Sequence, residues 1–451
     1  MAFETINRGE SNWASKINNN FAEVSNIVAG SDKVSTTDFE AYKTQLNSKF
    51  NVMAKPATKV IGTSTSGHTL EVCDVLCDGT NDESYFNSVI QSMTNGGKIV
   101  VLEGIYNITN EINLNKENIV LEGMGKATIL KRMFATSGGS SSNYINTGVI
   151  NIASDNVSIK DITINGNSDS YSYVEGNYNC GIYSNENLSN ININNCDILN
   201  NYYGIKISSS STSGDIKNNI NIIDNYFYNN IQSLYFSNVE EITLDKNKIF
   251  NNGVNNSIGI YDSNFININN NHVSTCEGNG IYVNNSTNLI IDKNIIKNSS
   301  GTNKTGIFLS KIDNSSVFNN LINDCENIGI YVTNSNHNQI NNNNVNECGS
   351  YGIHVITACN DNNISSNKVY NTNGVVLGTG ATHNTLNGNN IMRGTGITSD
   401  YSTTNSIVKY TIWVTSGATK NLISNNMIFG KNYVNNAGSS AGNTFSNNKY
   451  N

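Results

Sequence analysis

Asp324 and Glu347 each stand four residues after an asparagine of a repeating series, Asn320 and Asn343, and Glu326 lies two residues beyond Asp324. Paired carboxyl groups are what glycosidic cleavage needs, one as acid and the other as base or nucleophile. Their separation is about 5–5.5 Å for retention of configuration and about 6.5–9.5 Å for inversion. A close pair of like charges also raises one pKa, as an acid catalyst requires. The competing reading is a solvated turn that carries acids.

The segment from Ser168 to Asn179 holds Asp169, Tyr171, Tyr173, Glu175 and Tyr178. Aromatics and acids on one projecting loop suit carbohydrate binding, with rings stacking on sugars beside acid–base groups. A plain surface or intersubunit loop is the alternative. A third feature is the residue after each Gly-Ile pair or its equivalent: Tyr183, Lys206, Tyr235, Tyr261, Tyr282, Phe308, Tyr331 and His354. On stacked strands these side chains share an outward face, and so long an aromatic stripe calls for a partner. Packing against other copies and stacking on glycan both fit, and the length of the stripe favours the copies. His272 and His354 are read as solvated.

What must position these groups is a repeat. Gly181-Ile182-Tyr183, Gly204-Ile205-Lys206, Ser233-Leu234-Tyr235, Gly259-Ile260-Tyr261, Gly280-Ile281-Tyr282, Gly306-Ile307-Phe308, Gly329-Ile330-Tyr331 and Gly352-Ile353-His354 follow one another at 21 to 29 residues. In a second register Asn225, Asn247, Asn271, Asn294, Asn320, Asn343 and Asn367 recur every 22 to 26 residues, each two before Ile, Val or Phe. A unit of about 23 residues made of short strands without a helix fits one turn of a parallel β-helix. Coils then lie about 4.8 Å apart, equivalent residues stack, and roughly 13 coils make a rod about 60 Å long.

Stacking accounts for the composition. Of 451 residues about 90 are Asn, and Pro56 is the single proline. Asn at the same turn of every coil can donate to and accept from the Asn above and below, and it tolerates left-handed backbone. Asn and Ile of Asn-x-Ile share parity, so this column is interior scaffold. One residue beyond the carboxylates runs another column, Asn230, Asn252, Cys276, Ser299, Cys325, Cys348 and Thr372. It reads as small buried side chains rather than a metal site, since no His joins it. The eight Cys form no CxxC pair and are expected to be free. No ordered Asp cluster suggests a Ca²⁺ loop, and neither metal nor cofactor is expected.

Other classes are excluded by composition. Net charge is −8 and only 14% of residues are charged, which disfavours nucleic-acid binding and simple disorder. No apolar run reaches the roughly 18 residues of a membrane span. Residues Met1 to Gly9 lack a signal-peptide pattern.

Three regions are expected: 1–58, 59–98 and 99–451. In the first, Trp13, Ile17, Phe21, Val24 and Ile27 recur at helical spacing. Thr37 and Glu40 then form a capping box before a second stripe, Phe39, Tyr42, Leu46, Phe50 and Met53. Such a short helix buries its stripe by self-association. The second region contains a helix over Asp82 to Met93, closed by Asn95-Gly96-Gly97, and then a buried strand at Lys98–Leu102.

The stretch Val72-Cys73-Asp74-Val75-Leu76-Cys77-Asp78-Gly79-Thr80-Asn81-Asp82 resembles the opening motif of pectate-lyase-like β-helix proteins. Gly96-Gly97-Lys98-Ile99-Val100-Val101 and Gly104-Ile105-Tyr106 resemble the strands that follow it, with Leu102 and Glu103 where that family has two prolines. Thr5 to Trp13 and Asn18 to Phe21 resemble the start of tailspike and tail-fibre proteins of phages infecting Gram-positive bacteria. The resemblance implies an all-β, right-handed single-stranded parallel β-helix behind an N-terminal α-helical attachment and stem region. It further implies a homotrimer joined to phage tail or baseplate proteins, located on the virion and acting on host cell-surface polysaccharide. The usual Gly-His-Gly, Asp-Asp and Arg-x-Lys motifs of catalytic relatives are missing, and Arg132 and Arg393 are the only arginines after Arg8. Cleavage of the glycan therefore rests on Asp324, Glu347 and Glu326. A purely adhesive or structural fibre and a free carbohydrate-active enzyme (hydrolase, lyase or epimerase) stay open beside the tailspike reading.

Overall fold

Isoleucine sets the architecture. Ile193, Ile222, Leu244, Ile268, Ile291, Val317, Ile340, Ile364 and Leu386 lie on successive strands in direct parallel register, and none of them is exposed. Side chains alternate across a strand, so each strand sends every second residue inward. β-Branched residues, stiff at χ1, suit such columns. Each buried Ile contributes about 1.5–3 kcal/mol before the entropy of ordering is set against it.

The computed structural model describes residues 58–209, 219–301, 304–392, 411–429, 434–435 and 439–450. The chain divides into two units, Met1–Ala57 and Thr58–Asn451. The attachment motif, both helical stripes, Pro56 and Arg393 lie outside the described residues. The second unit opens with β1 (Thr58–Thr63), paired in parallel to β2 (Val75–Cys77) and β3 (Gly97–Val101). Between β2 and β3 lies α1 (Glu83–Ser92), which buries Phe86, Val89 and Ile90. The Asp82 carboxylate accepts the backbone N–H groups of Gly79 (2.9 Å) and Asn107 (2.7 Å), tying the helix start to the strand at Gly104–Ile108.

From there the chain winds as a parallel β-helix with three strand-bearing faces per coil. One coil, for example, is Ile307–Asp313, Ser316–Phe318 and Leu321–Cys325, and the next coil begins at Ile330–Thr333, paired to Ile307 and its neighbours. The predicted Asn column is interior. From Asn225 through Asn247, Asn271, Asn294, Asn320, Asn343, Asn367, Asn389 and Asn426 to Asn448, each side-chain amide donates to the next coil's Oδ1 at 2.9–3.1 Å. Each backbone N–H donates to that same oxygen, as Asn320 does to Asn343 at 3.1 Å. A second ladder runs Asn338, Asn362, Asn384, Asn421, Asn443 at another corner. These buried amides are fully paired, which a β-helix corner requires because its backbone turns inside the core.

The residue before each ladder Asn has left-handed backbone, as at Asn270, Lys293, Asn319 and Asn342. The glycine of Gly-Ile-Tyr has a different cause. A Cβ on Gly306 would sit 2.8 Å from the Gly329 carbonyl oxygen and 2.6 Å from Ile322, so the coils approach too closely there for a side chain. All eight Cys are free and buried, and burial raises the thiol pKa of Cys359 to about 11 and of Cys180 to about 12. They are therefore packing groups rather than nucleophiles.

Candidate functional site

The stripe residues form a column of rings on one face. Centroids of Tyr235–Tyr261, Tyr261–Tyr282, Tyr282–Phe308, Phe308–Tyr331 and Tyr331–His354 are 5.1, 5.5, 5.0, 4.7 and 5.3 Å apart. The rings are half-buried rather than fully outward, because each covers part of the next. The aligned register of Gly259-Ile260-Tyr261 needs correcting. Gly259, not Tyr261, pairs with Tyr235 and Tyr282, and Tyr261 pairs with Ser237 and Asn284. Tyr261 nevertheless keeps the column continuous: its ring leans back over Gly259, where a Cβ would meet its Cε2 at 3.2 Å. His354 is also corrected. It lies half-buried between Tyr331 and Tyr351, and burial lowers its pKa to about 4. His272 packs edge-on against Phe250, and burial lowers its pKa too.

At the upstream end the column widens into a cluster. Tyr203 lies 5.4 Å from Tyr235 and 4.6 Å from Tyr202, and Tyr202 lies 4.5 Å from Tyr173 and 4.4 Å from Tyr178. Tyr144 joins through Tyr178 at 5.7 Å. Tyr173 and Tyr144 are 43% and 57% exposed, so the cluster presents ring faces to solvent. The loop around 166–176 leaves the coil here. Asn179 Nδ2 donates to the Tyr171 carbonyl, and Asn255 Nδ2 donates to the Tyr202 hydroxyl at 2.9 Å. A pocket of about 160 Å³ opens beside Tyr173 and Tyr202, with Ser168, Ser172, Asn179 and Asn201 in its wall. Asn201 is almost fully buried, and its Oδ1, at the end of a short ladder shared with Asn230, has no partner among the described residues. A larger hollow of about 460 Å³, lined by Thr94, Asn95 and Asn115–Asn118, carries no aromatic ring. The tyrosine pocket is therefore the candidate site.

Beneath the cluster lies a buried polar group. Arg132 has no exposed surface and donates to the Thr147 carbonyl and hydroxyl and to the Cys180 carbonyl. Its guanidinium stacks 4.0 Å from the Phe134 centroid, and burial lowers its pKa to about 10. Glu111 accepts the Gly148 N–H at 2.7 Å, and burial raises its pKa. The Tyr183 phenol is raised to about 12, by burial first. Lys206 Nζ donates to Asn146 Oδ1 at 3.0 Å and sits over the rings of Tyr203 and Tyr235.

Of the predicted loop residues, the structure brings Tyr173 and Tyr178 together on Tyr202. Tyr171 enters through its backbone, and Asp169 and Glu175 are exposed on the same loop. Tyr144, Tyr202, Tyr203 and Asn201 are additions that sequence reasoning missed. The Tyr202-Tyr203 pair directly before Gly204-Ile205 was the available signal. The carboxylates lie elsewhere. Asp324 and Glu347 occupy the same corner of successive coils, one residue after the paired Asn323 and Asn346. Both are exposed with left-handed backbone, as are Asn298 and Asn371 on the flanking coils. Glu326 is exposed two residues beyond. Among the described residues no group of three or more His, Cys, Asp or Glu could hold a metal.

Strand order, inward ladders and coil register define the class: a right-handed parallel β-helix. The family profile described as the right handed beta helix region matches residues 170–303 and 235–391. No curated protein matches the sequence. Among solved structures, the A-module of the Azotobacter vinelandii mannuronan C-5 epimerase AlgE6 is 14% identical, covering 83% of this chain and 96% of its own, with a TM-score of 0.57. The AlgE4 A-module from the same organism is 14% identical, covering 86% and 97%, at 0.54. The Dettilon tailspike protein is 12% identical, covering 82% and 66%, at 0.48. At these identities the likeness to the two epimerase modules is one of fold.

Proposed function

We propose that this chain is a phage tailspike or receptor-binding tail fibre that recognises host cell-surface polysaccharide at the tyrosine cluster. The observation that carries the reading is the pocket beside Tyr173 and Tyr202, where solvent-facing rings meet side-chain amides. Rings stack on the apolar faces of sugars, and amides hydrogen-bond their hydroxyls. The assembly is a homotrimer attached to the tail through its N-terminus. The motif at Thr5–Trp13, the helical spacing of apolar residues from Phe39 to Met53 in the sequence and the half-exposed ring column support this. The reading is tested by binding of extracted cell-wall polysaccharide: Tyr173→Ala should lower affinity at least about tenfold, as loss of a stacked aromatic does. Unchanged affinity in Tyr173→Ala and Tyr202→Ala would remove the site.

One observation favours depolymerisation as well. Asp324 and Glu347 stand at the same exposed corner of successive coils, whose backbones lie about 4.8 Å apart, so their carboxyl groups are neighbours as a catalytic pair must be. Glu326 extends the acidic surface. In this reading Glu347→Gln or Asp324→Asn abolishes release of reducing ends while binding survives. Undiminished release from both variants would leave the protein a binder only.

A further inference from the structure

The ring column is interrupted once by a cation. Lys206 pairs in register with Tyr183 on one side and Tyr235 on the other. Its Nζ is 3.0 Å from Asn146 Oδ1 and 4.6 and 4.9 Å from the ring centroids of Tyr203 and Tyr235. An ammonium carries three donors, and the amide takes one. Some more exposed lysines meet carboxylates, as Lys98 and Lys160 do on Glu122, Lys126 on Asp197 and Lys293 on Asp292. Lys206 has no carboxylate within ion-pairing distance among the described residues. Rings and an amide do not neutralise it, and a desolvated cation without a counter-charge is costly. Burial accordingly lowers its pKa.

We propose that Lys206 anchors an anionic group, a sugar carboxylate or a phosphodiester, carried by the glycan whose rings stack on Tyr202 and Tyr173. This deepens the glycan reading and rests on it. The buried Tyr203 ring lies against both Lys206 and Tyr202, which places the cation next to the ring cluster that walls the pocket. The Asn146 oxygen points the ammonium, and the flanking rings exclude water from it. A neutral glycan would leave that cation unpaired, so the site selects for acidic repeats in a protein whose net charge is −8.

The test uses the full chain and follows lysine acylation by peptide mass spectrometry. Three probes are compared: an oligogalacturonate, a glycerol phosphate oligomer and a neutral gluco-oligosaccharide. With ligand in excess, Lys206 labelling should fall at least about fivefold with an anionic probe and stay constant with the neutral one. Lys293 should not respond to any of them. Protection by the oligogalacturonate alone assigns a carboxylate, and protection by the glycerol phosphate oligomer alone assigns a phosphodiester. Lys206→Met should then weaken the protecting probe about tenfold or more by calorimetry, the scale of a lost charge-assisted hydrogen bond. No protection by either anionic probe, or equal protection by the neutral one, overturns the proposal. Protection by the neutral probe would still leave the glycan reading standing, because that reading fails only on the Tyr173→Ala and Tyr202→Ala result.

Discussion

Two stretches of the same β-helix are built differently. From Asn225 to Asn389 ladder partners are 22 to 26 residues apart, and each corner amide finds its match on the next coil. Upstream, stacked asparagines such as Asn113 and Asn151 or Asn156 and Asn190 are 38 and 34 residues apart. The extra length there goes into loops, and with the loops come Arg132, Glu111, Lys206 and the tyrosine cluster. The Asn201 ladder ends at this boundary with an unpaired oxygen. The regular coils pair their two ladders of corner amides throughout, although Asn252 Nδ2, Ser257 Oγ, Asn269 Oδ1 and His354 Nδ1 are buried there without a hydrogen-bond partner among the described residues. The irregular coils gather exposed rings, a cation and the buried Asn201 acceptor around one pocket, which is the chemistry of a binding site.

Three perturbations sharpen this contrast. The largest effect is expected on the ring column of the regular stretch if it is the trimer contact. Tyr282→Glu places a charge among half-buried rings, and the mass by light scattering should fall from trimer to monomer. A trimer that persists but loses glycan binding would reassign the column to the ligand. Next comes the interior ladder. Asn320→Ala removes the acceptor for the N–H and amide of Asn294 and empties its bonds to Asn343 and Ile291. It should cost about 3 kcal/mol of unfolding free energy, whereas Asn319→Ala, at the exposed left-handed position beside it, should cost about 1 kcal/mol. Equal costs would mean that the ladder is not what holds the corner.

A smaller effect concerns pH. His354 is held neutral by burial, its pKa lowered from 6.5 to about 4. The unfolded chain binds this proton more readily than the folded one, so the contribution is present above pH 6.5 and lost as pH falls towards 4. The loss should be on the order of 2 kcal/mol, and His354→Phe should flatten that part of the stability profile measured by denaturant titration.

The regular stretch was almost entirely legible in the sequence. Asn-x-Ile at a fixed period dictates strand, corner and inward parity at once, because equivalent residues must stack. The register of Tyr261 was not legible, since Gly259 and Tyr261 both fit a Gly-Ile-Tyr pattern and only the neighbouring coils decide between them. The site was partly legible. Tyr173 and Tyr178 stood out on a loop, but Tyr202, Tyr203 and Tyr144 come from other coils and meet only after winding. His354 read as solvated because sequence alone does not show Tyr351 and Tyr331 closing over it.

The central claim is that recognition resides in the irregular coils and that the regular ones hold them up. It is tested most directly by titrating cell-wall polysaccharide against Tyr173→Ala and Tyr331→Ala side by side. The account predicts a loss of about tenfold or more in Tyr173→Ala and wild-type affinity in a trimeric Tyr331→Ala. Full binding by Tyr173→Ala together with lost binding by Tyr331→Ala would contradict it and move the site onto the regular column.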